Sequence, residues 1–98
     1  MKVKLVVVEG AKPTQMFLKL PTIIGRSSDA KIKLRHSIVS REHCKLYESD
    51  QKIIVRDLGS SNGTFVNDRR TEEPTVLNTN DLLRIGPVTL RAVVQNSE

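Results

Sequence analysis

Apolar residues in this chain recur at alternate positions over short stretches, and polar turn-formers interrupt them before a helical repeat can develop. Residues 3–8 are rich in valine and predict a strand. Glu9-Gly10-Ala11-Lys12-Pro13 predicts a turn, in which Pro13 removes a backbone donor and Gly10 relaxes the backbone. Residues 15–20 resume the extended pattern, with Met16, Leu18 and Leu20 on one face. The two segments are expected to pair as a hairpin that brings the termini near one sheet edge. Pro21 punctuates, and residues 22–24 predict a third strand that ends at Gly25.

The alternation continues downstream. Residues 31–34 predict a brief strand with Ile32 and Leu34 inward, followed by a long connection over 35–42. Residues 43–48 and 52–58 predict strands joined through Ser49-Asp50-Gln51. Thr64-Phe65-Val66 predicts a short strand closed by Asn67-Asp68, whose residues tolerate tight turns. Residues 71–75 are polar, Val76-Leu77 is apolar, and Asn78-Thr79-Asn80 predicts a turn. Residues 81–85 and 88–94 predict the last two strands, around Gly86-Pro87. No window sustains a helical repeat beyond two turns, and the single helix-like spelling, residues 68–73, is short and strongly polar. Many short strands with regular turns imply an all-β sandwich or barrel. The absence of a linker, repeat or low-complexity segment predicts one domain over residues 1–98.

Length and composition narrow the function. Ninety-eight residues suit one modest core, and 38% hydrophobic residues suit a soluble protein. The longest apolar run near the start, Leu5-Val6-Val7-Val8, is far too short for a membrane span, and no signal-peptide core or cleavage site follows it. A cytoplasmic location is the expectation. Cys44 is the only cysteine, which excludes an internal disulfide and a cysteine-based metal cluster. It shares a strand face with Leu46 and reads as a buried, inert thiol. The formal charge of +5 favours acidic partners. Lys and Arg are scattered without a run of three, and the aromatic residues are only one Tyr and two Phe, which argues against a nucleic-acid groove.

The candidate chemistry lies in three polar runs at strand ends: Gly25-Arg26, Ser40-Arg41-Glu42-His43 and Ser61-Asn62-Gly63-Thr64. Loops displayed by a rigid sheet can converge on one ligand. Hydroxyls, amides and arginines without an acidic pair point to an anion, with a phosphorylated chain leading. His36 and His43 complete no recognisable zinc spacing, so no metal is called for. Ser40 and His43 lack an identifiable orienting carboxylate, which argues against a hydrolytic triad. Residues 59–63 precede neither Lys-Ser/Thr nor a helix, so they are not a nucleotide-binding P-loop.

Taken together, Gly25-Arg26, Ser40-x-x-His43 and Ser61-Asn62-Gly63-Thr64 resemble the signature of the forkhead-associated (FHA) domain family. Asp57-Leu58-Gly59-Ser60, Phe65-Val66-Asn67 and Leu77-x-x-x-Asp81-x-Leu83-x-Ile85-Gly86 stand in the same order and spacing, so the likeness covers about residues 3–94. It implies a β-sandwich of two sheets with about eleven short strands. It also implies phosphothreonine recognition by loops at one end, without catalysis or a cofactor. By the resemblance, Arg26, Ser40, Arg41 and Ser61 would bind the phosphate, and Asn62 would hold the ligand's main chain. Gly25, His43 and Gly63 would shape the site. The partner would be a Thr-phosphorylated protein or peptide, for example a Ser/Thr kinase or its substrate, and not nucleic acid or membrane. Asp68 and Asn80 stand where glycine is frequent in the family, and both types tolerate left-handed geometry. Two competing readings are a basic β-rich nucleic-acid binder and an FHA-like fold that associates through a sheet face without phosphate.

Overall fold

In the computed structural model, which describes residues 2–10 and 15–95, the alternating stretches become two stacked antiparallel-rich sheets. The strands are β1 (Lys2–Glu9), β2 (Gln15–Leu18), β3 (Thr22–Gly25), β4 (Ile32–Lys33), β5 (Cys44–Ser49) and β6 (Lys52–Asp57), followed by β7 (Thr64–Val66), β8 (Arg69–Arg70), β9 (Thr75–Val76), β10 (Leu82–Ile85) and β11 (Val88–Gln95). One sheet has the order β2-β1-β11-β10-β7-β8 and the other β4-β3-β5-β6-β9. The expected two-sheet all-β architecture is present. Among the described residues, no helix is long and apolar enough to cross a membrane.

Strand alternation produces the core directly. Val3, Leu5, Val7, Leu83, Ile85, Leu90 and Ala92 face inward from one sheet and meet Ile24, Cys44, Leu46, Ile53 and Val55 from the other. Each fully buried Val, Leu or Ile side chain contributes about 1.5–3 kcal/mol relative to exposure. Cys44 lies in this layer beside Leu46, and burial pushes its thiol up to about 12. The thiol therefore stays protonated and unreactive at neutral pH.

The β1–β2 hairpin forms as expected, with Lys4 opposite Phe17. The sheet edge, however, is β2. β1 is covered on its other side by β11, with Lys2 opposite Gln95, so the first and last strands meet inside the sheet rather than at its edge. Ala11, Lys12 and Pro13 of the expected first turn lie outside the described residues. The helix-like spelling at residues 68–73 is not a helix. Asp68 completes a two-residue turn with Asn67, at φ 67° and 50°, and Arg69–Arg70 pair with β7. That left-handed geometry twists a tight hairpin in the sense the strands require. Asp50 and Gln51, at φ 51° and 63°, make the same turn between β5 and β6.

Register brings the polar loops together. Ile24 at the end of β3 lies opposite Cys44 at the start of β5, and Cys44 lies opposite Asp57 at the end of β6. β4 runs parallel to β3, so its exit shares that end. The segments that follow Gly25, Lys33 and Asp57, and the one that leads into Cys44, consequently meet on one rim of the sandwich.

Candidate functional site

His43 joins two of these loops from beneath. The residue is fully buried. Its Nδ1 accepts the Ser40 amide hydrogen at 3.1 Å, so the ring proton resides on Nε2, which donates to the Gly63 carbonyl at 2.8 Å. Its own amide donates to the Ile24 carbonyl at 2.9 Å, and its carbonyl accepts from Leu58 at 2.9 Å. One side chain and its backbone thus tie together the ends of β3 and β6 and both flanking loops.

The first loop is held just as closely. The Arg26 amide donates to the Ser40 carbonyl at 2.9 Å, and the Ser27 amide to the Arg41 carbonyl at 3.1 Å. This approach needs a glycine at position 25, because a Cβ there would stand 2.1 Å from the Arg41 carbonyl oxygen. The Arg26 side chain is exposed, and its Nε donates to the Val39 carbonyl at 2.9 Å. That bond fixes the guanidinium plane and leaves the four terminal N–H donors for a ligand.

Ser40 is half-buried, and its hydroxyl oxygen accepts the Ser61 amide at 3.1 Å. Its proton therefore remains available to an outside acceptor. Arg41 is exposed, and among the described residues its backbone N–H has no partner. Asn62 bridges the loops, its Nδ2 donating to the Ile38 carbonyl at 2.8 Å, while among the described residues Oδ1 and a second N–H have no partner. Gly63 sits at φ 86°, in the left-handed region that favours glycine. Arg26, Ser40, Arg41, Ser61 and Asn62 all lie on the one rim, and the rim offers donors.

Sequence reasoning did not find the network that holds residues 58–63. Asp57 Oδ2 accepts the amides of Gly59 and Ser60, each at 3.0 Å, while Oδ1 accepts the hydroxyls of Ser60 and of Thr64, the latter at 2.7 Å. The Ser60 hydroxyl oxygen in turn accepts the Gly63 amide at 3.0 Å. Partial burial alone would raise the Asp57 pKa. These four donors outweigh it and hold the carboxyl below the usual carboxylate range. Asp57 is thus the orienting carboxylate of a loop and bonds neither histidine. The available signal was the Asp57-Leu58-Gly59-Ser60 spelling, in which an acid two and three residues before open amides folds a turn.

The model of the FHA domain matches residues 22–86, most of the chain and all three loops. The chain belongs to the FHA domain family. This FHA domain is 32% identical over 80 residues to the probable E3 ubiquitin-protein ligase dma1 of Schizosaccharomyces pombe, covering 68% of the chain and 30% of that protein. The chain therefore spans less than a third of that relative's length. A solved structure of Mycobacterium tuberculosis EmbR in complex with a low-affinity phosphopeptide superposes with a TM-score of 0.89 at 28% identity, covering 99% of this chain and 25% of that one. A second solved structure, from work on phosphothreonine-dependent FHA domain interactions, superposes with a TM-score of 0.88 at 28% identity, covering 99% of this chain and 100% of that one. The two departures from the family's spelling are accommodated here: Asp68 and Asn80 adopt φ 67° and 72°, as their types permit.

Proposed function

We propose that this FHA domain, taken as one module over residues 1–98, is a non-catalytic reader of phosphothreonine in a protein or peptide partner. The observation that carries the reading is the convergence of the Arg26 guanidinium, the Ser40 hydroxyl and the Arg41 amide on one rim, in loops clamped by His43. A phosphate on threonine brings a charge of about −1.5 to −2 and three acceptor oxygens. A rigid rim of donors matches that demand with little reorganisation. In this reading Arg26, Ser40, Arg41 and Ser61 take the phosphate. Asn62, steadied on Ile38, offers an acceptor and a donor to the ligand's main chain. The EmbR structure in complex with a phosphopeptide, and the structure from work on phosphothreonine-dependent FHA domain interactions, support the assignment. The partner is a Thr-phosphorylated protein of Ser/Thr kinase signalling, the kinase itself or its substrate, met in the cytoplasm.

Calorimetry against an oriented phosphothreonine peptide library and its unphosphorylated counterpart tests the proposal. The phosphorylated library is expected to bind and the plain one to bind negligibly. Arg26→Ala is expected to remove about 2–5 kcal/mol of that affinity while the thermal melt stays unchanged, because one charge-assisted anchor is lost. Equal binding of the two libraries, or unchanged affinity in the folded variant, overturns the assignment.

A further inference from the structure

Beside Arg26, the rim opens into a hollow of about 310 Å³ whose lining includes neither Ser40 nor Ser61. Its walls are Arg26, Ser28, Lys33, Arg35, His36 and Ser37. Three full cations, an imidazole and two hydroxyls line it, and no carboxylate does. The charge is built in by the fold. Lys33 lies opposite Gly25 in the parallel β3–β4 pair, and the Leu34 amide donates to the Gly25 carbonyl at 2.9 Å, so Lys33 and Arg35 flank the point where Arg26 leaves its strand. His36 and Ser37 belong to a stiffened turn, in which the His36 amide donates to the Leu34 carbonyl and the Val39 amide to the His36 carbonyl, each at 3.0 Å. Arg26 is common to this hollow and to the phosphate rim.

Like charges gathered in one recess repel each other, and an anion entering it relieves that repulsion and finds several donors at once. We infer that this hollow is an anion subsite that reads a second acidic group on the same phosphothreonine peptide, a carboxylate side chain or a second phosphorylated residue. The inference rests on the phosphothreonine reading of the neighbouring rim. Arg26 couples the two sites, because its guanidinium can face both anions. Lys33 and Arg35 serve the second anion alone. The preferred partner is therefore an acidic or doubly phosphorylated segment, and a basic residue in the same register is disfavoured.

The test uses peptide libraries with one fixed phosphothreonine and all other positions degenerate, in which each flanking position in turn is set to Asp, to phosphothreonine or to Lys. Fluorescence anisotropy compares the wild-type chain with the Lys33→Gln, Arg35→Gln double variant. Both positions are exposed, so thermal melts of the two proteins are expected to coincide. The expected result is one register at which Asp or a second phosphothreonine gains about fivefold or more in affinity, as a few rim ion pairs allow. The gain shrinks as salt rises. In the double variant it disappears, while the library with a single phosphothreonine still binds within about twofold of wild type. A larger gain for phosphothreonine than for Asp identifies a second phosphate as the occupant, and equal gains identify any carboxylate. Binding without enrichment at any register, or enrichment that survives in the double variant, overturns the subsite alone. No binding of any phosphothreonine library overturns the neighbouring site as well.

Discussion

At the scale of single residues, the side chains that shape the rim are as demanding as those that face the ligand. His43 is fully buried with both ring nitrogens engaged. His43→Ala leaves the Ser40 amide and the Gly63 carbonyl without partners, at a cost of about 1–3 kcal/mol. Thermal melts are expected to fall together with phosphopeptide affinity, and native stability with lost affinity would make His43 a ligand contact instead. Asp57 yields a different signature. Its donors hold the folded-state pKa below the ordinary value of about 3.9. A depressed folded pKa stabilises the fold above the unfolded value, and that stabilisation is lost as pH falls through the folded one. Asp57→Asn is therefore expected to melt lower than wild type by a constant margin above about pH 5, with the margin closing as the pH drops below about 4. Melting curves across that range check it, and a pH-independent margin would remove ionisation from the account.

At the scale of elements, the decisive feature is how closely β3 and the loop before β5 approach each other. Gly25→Ala places a methyl 2.1 Å from the Arg41 carbonyl oxygen, and both sides of that contact are backbone. Relief requires the Arg26–Ser40 and Ser27–Arg41 backbone bonds to lengthen. Overpacking of this kind costs about 1–3 kcal/mol. Since it moves Arg26 relative to Ser40, affinity is expected to fall further than the melt alone accounts for. Titration at a temperature where the variant is fully folded separates the two effects. The elements also show what a sequence can reveal. Cys44 and Leu46 were legible as one buried face because alternation is local, and the loops of Arg26, Ser40 and Asn62 were legible through a family spelling. β8 and β9 have two residues each, too few for any period, so neither is announced as a strand by the sequence. The sheet order was equally hidden, because β1 pairing with β11 joins opposite ends of the chain. The hollow of Lys33, Arg35 and His36 depends on parallel pairing with β3, which no spacing in residues 31–36 announces.

At the scale of the whole molecule, the sandwich separates a dry core from a rim of preset donors, so the rim can select shape as well as charge. The Ser61 amide held on the Ser40 hydroxyl, and Asn62 held on the Ile38 carbonyl, keep the two loops in register at a fixed spacing. In the proposed phosphothreonine reading, the methyl of the ligand would pack between these loops, near Ser40, Ser61 and Asn62. Burying that methyl contributes about 0.8 kcal/mol by transfer alone, roughly fourfold in affinity. A β-branched residue also has fewer χ1 rotamers to lose on binding than serine, which adds in the same direction. Phosphothreonine is therefore expected to exceed phosphoserine by at least several-fold with identical flanking sequence. The net charge of +5 contributes to both peptides alike and cannot produce the difference. Paired titrations at one salt concentration, with peptides that differ only by the methyl, isolate the shape effect. A repeat at higher salt is expected to weaken both peptides while leaving their ratio in place, since screening acts on the phosphate charge and not on the methyl. Equal affinities would show that the rim reads charge without threonine shape and would return the site to general anion binding.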